Sequence, residues 1–289
     1  MSEVSSEELI EFLYIAPVAL LKCDRSGEIK LCNPKCVSTF LALLNLSALP
    51  NFIELLTASD KSLVALIHQA KMPGEICRDY RVWIDAVEQS FVFSFDIHLT
   101  GKGELLVAFR DVTQAVNYEQ ELDRLAKFDD LTNLYNRKYF IDIAERETER
   151  ALRYQHPISL LIADLDHFKQ INDNFGHLAG DTVLKRLGAI INTSVRTVDT
   201  AARFGGEEFC LLLPETDIEN ARCVAEKIRR NTETAAIEYD GEIIQTTLSV
   251  GVAQLVPGES LEKLMNRADQ ALYSAKELGR NRVQLSKSE

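Results

Sequence analysis

At 289 residues the chain is long enough for two ordinary domains, each with its own core. Its 46% hydrophobic and 26% charged residues exclude a disordered or fibrous chain. The net charge of -12 excludes general binding to nucleic acid or anionic membrane, since both need broad basic surfaces, so a phosphate ligand would need local basic residues.

Residues 3–14 alternate acidic and apolar positions at helical spacing, with Leu9, Ile10 and Leu13 on one side, and predict an amphipathic lead-in helix ending before Pro17. The apolar stretch 9–21 contains Glu11 and Pro17 and is too short to span a bilayer, so no direct membrane insertion is expected. The acidic start also speaks against a signal peptide. Residues 18–23, the turn Asp24-Arg25-Ser26-Gly27 and residues 28–32 read as a hairpin, after which Asn33-Pro34 opens a helix through Leu44. A further helix is predicted over 59–71. Strands are predicted over 76–84, 90–99 and 104–111, separated by turn formers that include Gly101-Lys102-Gly103.

Pro17-Val18-Ala19-Leu20-Leu21, Cys23-Asp24-Arg25-Ser26-Gly27-Glu28-Ile29 and Asn33-Pro34 resemble the opening of a PAS domain, and Arg110-Asp111-Val112-Thr113 resembles its exit. The resemblance covers residues 12–113 and implies a sensor or dimerisation module. PAS domains hold haem, flavin, a small metabolite or nothing, and no residue here designates a ligand. His68 is the candidate axial haem ligand, but a lone histidine on a helix reads first as a surface or hydrogen-bonded residue. Cys32, Cys36 and Cys77 read as small core residues, because nothing local would depress a thiol pKa, and Trp83 reads as core. All six cysteines lack CxxC pairs and zinc-finger spacing, which fits reduced thiols in a cytoplasmic protein.

Residues 112–128 place Val116, Leu122, Leu125 and Phe128 at helical spacing without glycine or proline. Such a stiff helix can join two domains and pair with its copy in a homodimer, or it can be a spacer packed on one domain. Three parts follow: residues 1–113, a connector over 114–128, and residues 129–289.

The last part opens with the polar turn Asp129-Asp130-Leu131-Thr132-Asn133 and a helix to about Tyr154. A buried strand over 158–165 ends in Asp164-Leu165-Asp166, where an apolar run meets carboxylates that must be paired or bind a cation. A helix from Phe168 leads to the turn Asn174-Phe175-Gly176-His177, and Gly180-Asp181 begins a second helix to Val195. Strands then flank Arg203-Phe204-Gly205-Gly206-Glu207-Glu208-Phe209, two glycines and two carboxylates inside strand-like sequence, which predicts a tight hairpin with an open approach. A helix over 218–232, strands over 236–239 and 242–255 around Asp240-Gly241, and a helix over 261–278 ending in Lys276, Arg280 and Arg282 complete the chain. This order predicts a central antiparallel sheet flanked by helices, and acidic residues on neighbouring strands suit a hard divalent cation that orients a nucleoside triphosphate.

The motifs Asp130-Leu131-Thr132, Asp164-Leu165-Asp166-His167-Phe168-Lys169, Asn172-Asp173, Phe175-Gly176-His177, Gly180-Asp181, Ser249-Val250-Gly251 and Ala268-Asp269 to Asn281, together with Gly205-Gly206-Glu207-Glu208-Phe209, resemble in order and spacing the GGDEF diguanylate cyclase family over residues 129–284. The fold class implied is α+β: a PAS-like antiparallel sheet with flanking helices, a connector helix, and a nucleotidyl cyclase or palm-like domain with a mainly antiparallel sheet. The resemblance implies that two GTP are condensed into 3′,5′-cyclic di-GMP with release of two pyrophosphates, across a homodimer. Asp164, Glu207 and the Leu165 carbonyl would hold Mg²⁺ or Mn²⁺, two ions per half-site, and Glu208 would add a ligand or take the proton of the 3′-hydroxyl. Asn172 and Asp181 would read guanine, Phe168 and Lys169 belong to the substrate-binding segment, Gly205 and Gly206 would admit the nucleotide, and Lys276 and Arg280 would grip the β- and γ-phosphates. Arg196-Thr197-Val198-Asp199 supplies the family's RxxD pattern ahead of the signature and implies inhibition by bound cyclic di-GMP, with Arg196 and Asp199 reading a guanine. Lys227 stands where some relatives carry arginine, which keeps the charge and loses the fork. The competing reading is a non-catalytic receptor for GTP or cyclic di-GMP.

Overall fold

Two units make up the chain, Met1–Glu121 and Leu122–Glu289, and the computed structural model describes residues 6–43, 47–86 and 89–287 of them. The first residues of the expected lead-in helix, and the end of the helix expected through Leu44, lie outside the described residues.

The first unit begins with α1 (Ser6–Ile15), β1 (Ala19–Cys23) and β2 (Ile29–Cys32). Asn33 ties this opening together: its Oδ1 accepts from the Leu20 and Cys36 amides, and its Nδ2 donates to the Val18 carbonyl at 2.9 Å. That cap starts α2 (Pro34–Ser38), where Pro34 occupies a first-turn position that needs no donor. The helix continues as a π-helical turn over Thr39–Leu43. Next come α3 (Phe52–Ser59), which the sequence reading did not anticipate, and α4 (Lys61–Gln69), the helix expected over 59–71. Asp60 is extended (φ -148°, ψ 97°), and its carboxylate caps α4 by accepting from Ser62 and Leu63, so the chain breaks there. β3 (Gly74–Asp85), β4 (Ser90–Leu99) and β5 (Leu105–Asp111) complete an antiparallel sheet of order β2-β1-β5-β4-β3.

Phenylalanines fill the core of this unit, with the Phe95 and Phe109 rings stacked at 5.5 Å and Phe40 on Phe109 at 5.1 Å. Burial pushes the thiols of Cys23 and Cys36 up to about 12 and that of Cys77 to about 11, as suits small core residues rather than reactive ones. Trp83 is 54% exposed, against the expectation of a core residue, because alternation along β3 turns its neighbours Val82 and Ile84 inward. His68 is exposed on α4, whose Leu63 and Ile67 face the core.

α5 (Thr113–Lys127) starts in the first unit and ends in the second. Val116 is buried, while Tyr118, Leu122 and Leu125 are exposed at i, i+4 and i+7. The free apolar stripe of the connector therefore runs through Tyr118 rather than Val116.

The second unit contains β6 (Tyr135–Asn136), α6 (Arg137–Tyr154), β7 (Ile158–Leu165), α7 (Phe168–Phe175), α8 (His177–Ser194), β8 (Thr200–Gly205), β9 (Glu208–Pro214), α9 (Ile218–Glu233), β10 (Ile237–Tyr239), β11 (Glu242–Ile244), β12 (Leu248–Gln254), α10 (Leu261–Glu277) and β13 (Val283–Leu285). Its main sheet has the order β13-β12-β7-β9-β8-β6, antiparallel at the centre and parallel at the outer pairs β12–β13 and β6–β8. Every residue of β7 is buried, as a central strand covered on both faces requires. One face packs on α7, α8 and α9, the other on α6 and α10. The expected strand over 242–255 is two strands, β11 and β12; β11 pairs with β10 in a separate hairpin at Asp240-Gly241, where φ of 49° and 80° suits the twist of a two-residue turn. Among the described residues no helix is long and apolar enough to cross a membrane.

Candidate active site

Three neighbouring strands of the second unit bring the acidic residues together. Asp164, near the end of β7, lies in register with Glu208 on β9 and with Ser249 on β12. The Leu165 amide approaches the Glu207 carbonyl at 3.4 Å, so the tip of the β8–β9 hairpin closes over the end of β7. Only Gly206 in that hairpin has a positive φ, 50°, and a Cβ added at either Gly205 or Gly206 would meet open space. Arg203 shapes the turn by donating from Nε to the Gly206 carbonyl at 2.9 Å and pairing with Asp129 at 3.3 Å. Asp129 in turn accepts from the Thr132 amide and hydroxyl, so the turn is tied to the polar loop that follows the connector.

Asp164 is 6% exposed, and its Oδ1 lies 2.8 Å from the Lys276 Nζ near the end of α10. Burial pushes its carboxyl above the usual range; Lys276 and Arg280 pull the other way, and Asp166 adds to the rise. Glu208 is also raised, by burial first and then by the charges of Asp164, Asp269 and Glu207, with Lys276 opposing. These carboxylates lift one another and offer only oxygen donors, which is the chemistry a hard divalent cation takes. Among the described residues no three His, Cys, Asp or Glu side chains are gathered tightly enough to ligate one ion; the strand register sets Asp164 beside Glu208, with Glu207 next to it in the chain.

α7 leaves the end of β7 two residues after Asp166, and α8 follows it directly. Phe168 is buried beneath them, whereas Lys169 is exposed. Asn172 and Asp181 are both half-buried, and the Asn172 side chain lies against Gly180, the residue before Asp181: a Cβ there would lie 2.0 Å from the Asn172 Oδ1. Arg280 is exposed just beyond α10. Sequence reasoning gave no role to Asp269, whose charge reaches Glu208, nor to Arg203; both stood inside quoted motifs, and only the fold shows what they touch.

Arg196 and Asp199 form a closed pair. The Arg196 Nη2 donates to the Asp199 Oδ1 at 2.9 Å, Nε donates to Oδ2 at 3.2 Å, and Nη2 also reaches the Thr216 Oγ1 at 2.8 Å. Beside them is a hollow of about 320 Å³ lined in part by Phe128, Tyr135 and Asn192, with the Phe128 and Tyr135 rings stacked at 4.9 Å. Lys227 Nζ donates to the Ser194 carbonyl at the end of α8. A larger groove of about 930 Å³ belongs to the first unit, between α1 and the sheet face that carries Leu31, His98 and Leu106; it is almost wholly apolar and is lined by none of the candidate site residues of the second unit.

Known proteins share this second unit. The family described as "Diguanylate cyclase, GGDEF domain" matches residues 126–282. Diguanylate cyclase A of Treponema denticola is 41% identical over 178 residues, 60% of this chain and 48% of that protein. Diguanylate cyclase DgcM of Escherichia coli K12 is 40% identical over 187 residues, 65% of this chain and 45% of that protein. The chain thus spans about half the length of these curated relatives. Among solved structures, the coiled coil and GGDEF domain of DgcB from Caulobacter crescentus in complex with c-di-GMP superposes with a TM-score of 0.58 at 34% identity, covering 61% of this chain and 93% of that one. With the family match extending over more than half of its residues, and with the acidic strand ends where that match lies, the chain belongs to the GGDEF diguanylate cyclase family.

Proposed function

We propose that the second unit condenses two GTP into 3′,5′-cyclic di-GMP and releases two pyrophosphates. The observation that carries this reading is the register pair Asp164–Glu208, with Glu207 and Lys276 beside it, at the end of a buried strand. A divalent cation, Mg²⁺ or Mn²⁺ and two per half-site in this reading, would lower the pKa of the attacking 3′-hydroxyl and neutralise charge on the phosphates. Asp164, Glu207 and the Leu165 carbonyl are the groups to hold it. Glu208, whose carboxyl is raised, takes the hydroxyl proton or completes the ligand set. Lys276 and Arg280 bind the β- and γ-phosphates, the leaving pyrophosphate, and Asn172 and Asp181 accept and donate at the guanine edge.

Each half-site holds one GTP, and each 3′-oxygen attacks the other nucleotide's α-phosphorus, so two copies of the unit face each other about a two-fold axis. The exposed stripe Tyr118, Leu122 and Leu125 supports pairing of α5 with its copy. The first unit reads as a PAS-like sensor over residues 1–113, supported by its strand order β2-β1-β5-β4-β3 with the helices inserted between β2 and β3. Arg196 and Asp199, beside the 320 Å³ hollow, form the inhibitory product site in this reading. GTP as substrate assigns the reaction to the cytoplasm.

Purified protein given GTP, ATP and Mg²⁺ together is expected to yield cyclic di-GMP as the sole cyclic dinucleotide by mass, with a rate per chain that falls on dilution; Glu207→Ala should abolish the product without unfolding the protein. Retained GTP binding without any cyclic product would replace this reading with a receptor.

The guanine pocket has its own test. In Gly180→Ala the new methyl displaces the Asn172 amide, a side-chain end free to swing away, and presses on the edge of the Phe168 ring at 3.1 Å, with no backbone atom in its way. The KM for GTP is expected to rise about 5- to 10-fold, the worth of one polar contact, with an unchanged unfolding midpoint. An unaltered KM would remove Asn172 from guanine recognition.

A further inference from the structure

The link between α10 and β13 runs through Gly279, Arg280 and Asn281, whose φ angles are 112°, 60° and 47°. Two successive residues with side chains in the left-handed region persist only where their surroundings over-determine them. The Arg280 amide donates to the Ala275 carbonyl at 3.0 Å, and its carbonyl accepts from the Arg282 Nε at 3.0 Å. The Arg280 guanidinium has no hydrogen-bond or ion-pair partner among the described residues, yet its charge reaches Asp164.

Asn281 is gripped from two directions. Asp166, 4% exposed, accepts the Asn281 amide on Oδ2 at 3.0 Å; the same oxygen accepts from the Thr247 hydroxyl at 2.6 Å, and Oδ1 accepts from the Ser249 hydroxyl at 2.7 Å. The Asp166 amide closes the link to the β12 side by donating to the Thr247 carbonyl at 2.9 Å. On the other side, the Asn281 Nδ2 donates to the Glu233 Oε1 at 2.7 Å and its Oδ1 accepts from the Arg229 Nη1 at 2.7 Å. Arg229, itself paired with Glu233 and Glu226, holds that bracket on α9.

Both Asp166 oxygens are thus committed to protein donors, which separates its role from that of Asp164 two residues earlier. We propose that Asp166 is a positioning residue for the phosphate-binding arginine: with the Glu233–Asn281–Arg229 bracket it locks the left-handed turn that aims Arg280 at the triphosphate. The inference rests on the reading of Arg280 as a phosphate contact. A carboxylate answers three donors at once, whereas an asparagine in its place keeps a single neutral oxygen for the Asn281 amide and the Thr247 hydroxyl and turns an N–H₂ to the Ser249 hydroxyl, which must rotate to accept it, so the charge-assisted grip on the turn is lost. The backbone of the turn then relaxes, and a guanidinium displaced by about 1 Å loses its directed contact.

The test uses the full chain with Mg²⁺ and measures affinity for the α,β-methylene analogue of GTP, which cannot be cyclised, and for GMP. Asp166→Asn is expected to weaken the triphosphate analogue about tenfold and leave GMP unchanged; Asn281→Ala should do the same, and Asn281→Gly should do so less, since glycine accepts the left-handed turn. In the Arg280→Ala background, Asp166→Asn should have no further effect. Equal weakening of GMP and triphosphate, or an undiminished effect without Arg280, would overturn the proposal. Should Asp166→Asn fold poorly, the more exposed Glu233→Gln gives the same comparison. If Arg280→Ala by itself leaves triphosphate affinity intact, the reading of Arg280 fails instead, and the two failures are told apart.

Discussion

Asp164→Asn is expected to lower GTP turnover roughly 10³-fold, the order lost with one principal electrostatic contributor, while the metal-free protein unfolds at a temperature no lower than the parent. The two halves of this expectation share one cause. Burial raises the Asp164 carboxyl in the folded state even though Lys276 lies 2.8 Å away. A carboxylate raised in this way contributes stability that is fully present below its unfolded pKa, about 3.9, and is lost as pH rises through the folded value. At neutral pH the ionised group is therefore a burden on the metal-free fold, as expected of a proposed cation ligand. Asparagine removes the charge and still offers Lys276 an oxygen. Thermal unfolding in chelator should show the parent losing stability, relative to the variant, as pH is raised from about 4. A variant that melts several degrees below the parent at neutral pH would show that the Asp164–Lys276 pair is a structural tie.

Gly251→Ala should be the most damaging methyl that can be added to the second unit. A Cβ at this point of β12 would lie 2.1 Å from the Ala268 carbonyl and 2.3 Å from the Leu272 amide, both backbone atoms of α10. Neither can swing aside as the Asn172 side chain can at Gly180, so the helix must move off the sheet. The expected cost is about 2–3 kcal/mol, or roughly 4–12 °C in unfolding midpoint for a domain of this size. α10 carries Lys276, and so the shift should also raise the KM for GTP. A variant with the parent's melting temperature would mean that α10 has slack against β12 that this packing denies.

These two positions mark how far the sequence could be read. Asp164 was legible because an apolar run ending in carboxylates is physically costly without a cation or partner, and the spacing of the surrounding motifs singled out one family. Gly251 stood in a recognised motif, yet its packing role needs the crossing of α10 over β12, which no local pattern encodes. Local signals also found most strands of the first unit, where turn formers bracket alternating residues. They missed α3, which ends at the extended cap Asp60, and failed at Trp83, where strand register alone decides which face a side chain takes. The connector stripe failed for a related reason: helical period groups Val116 with Leu122, but in the fold the one is buried and the other exposed.

The sequence by itself placed the second unit in its family, because carboxylates, paired glycines and basic residues recur there at family spacing. Tertiary structure alone decided the partners. It put Glu208 opposite Asp164 through strand register, closed Arg196 on Asp199 and Thr216, and gave Asp166 to the Asn281 turn rather than to the substrate side. Those contacts join residues far apart in the chain, and only the packing of helices on the sheet brings them within reach.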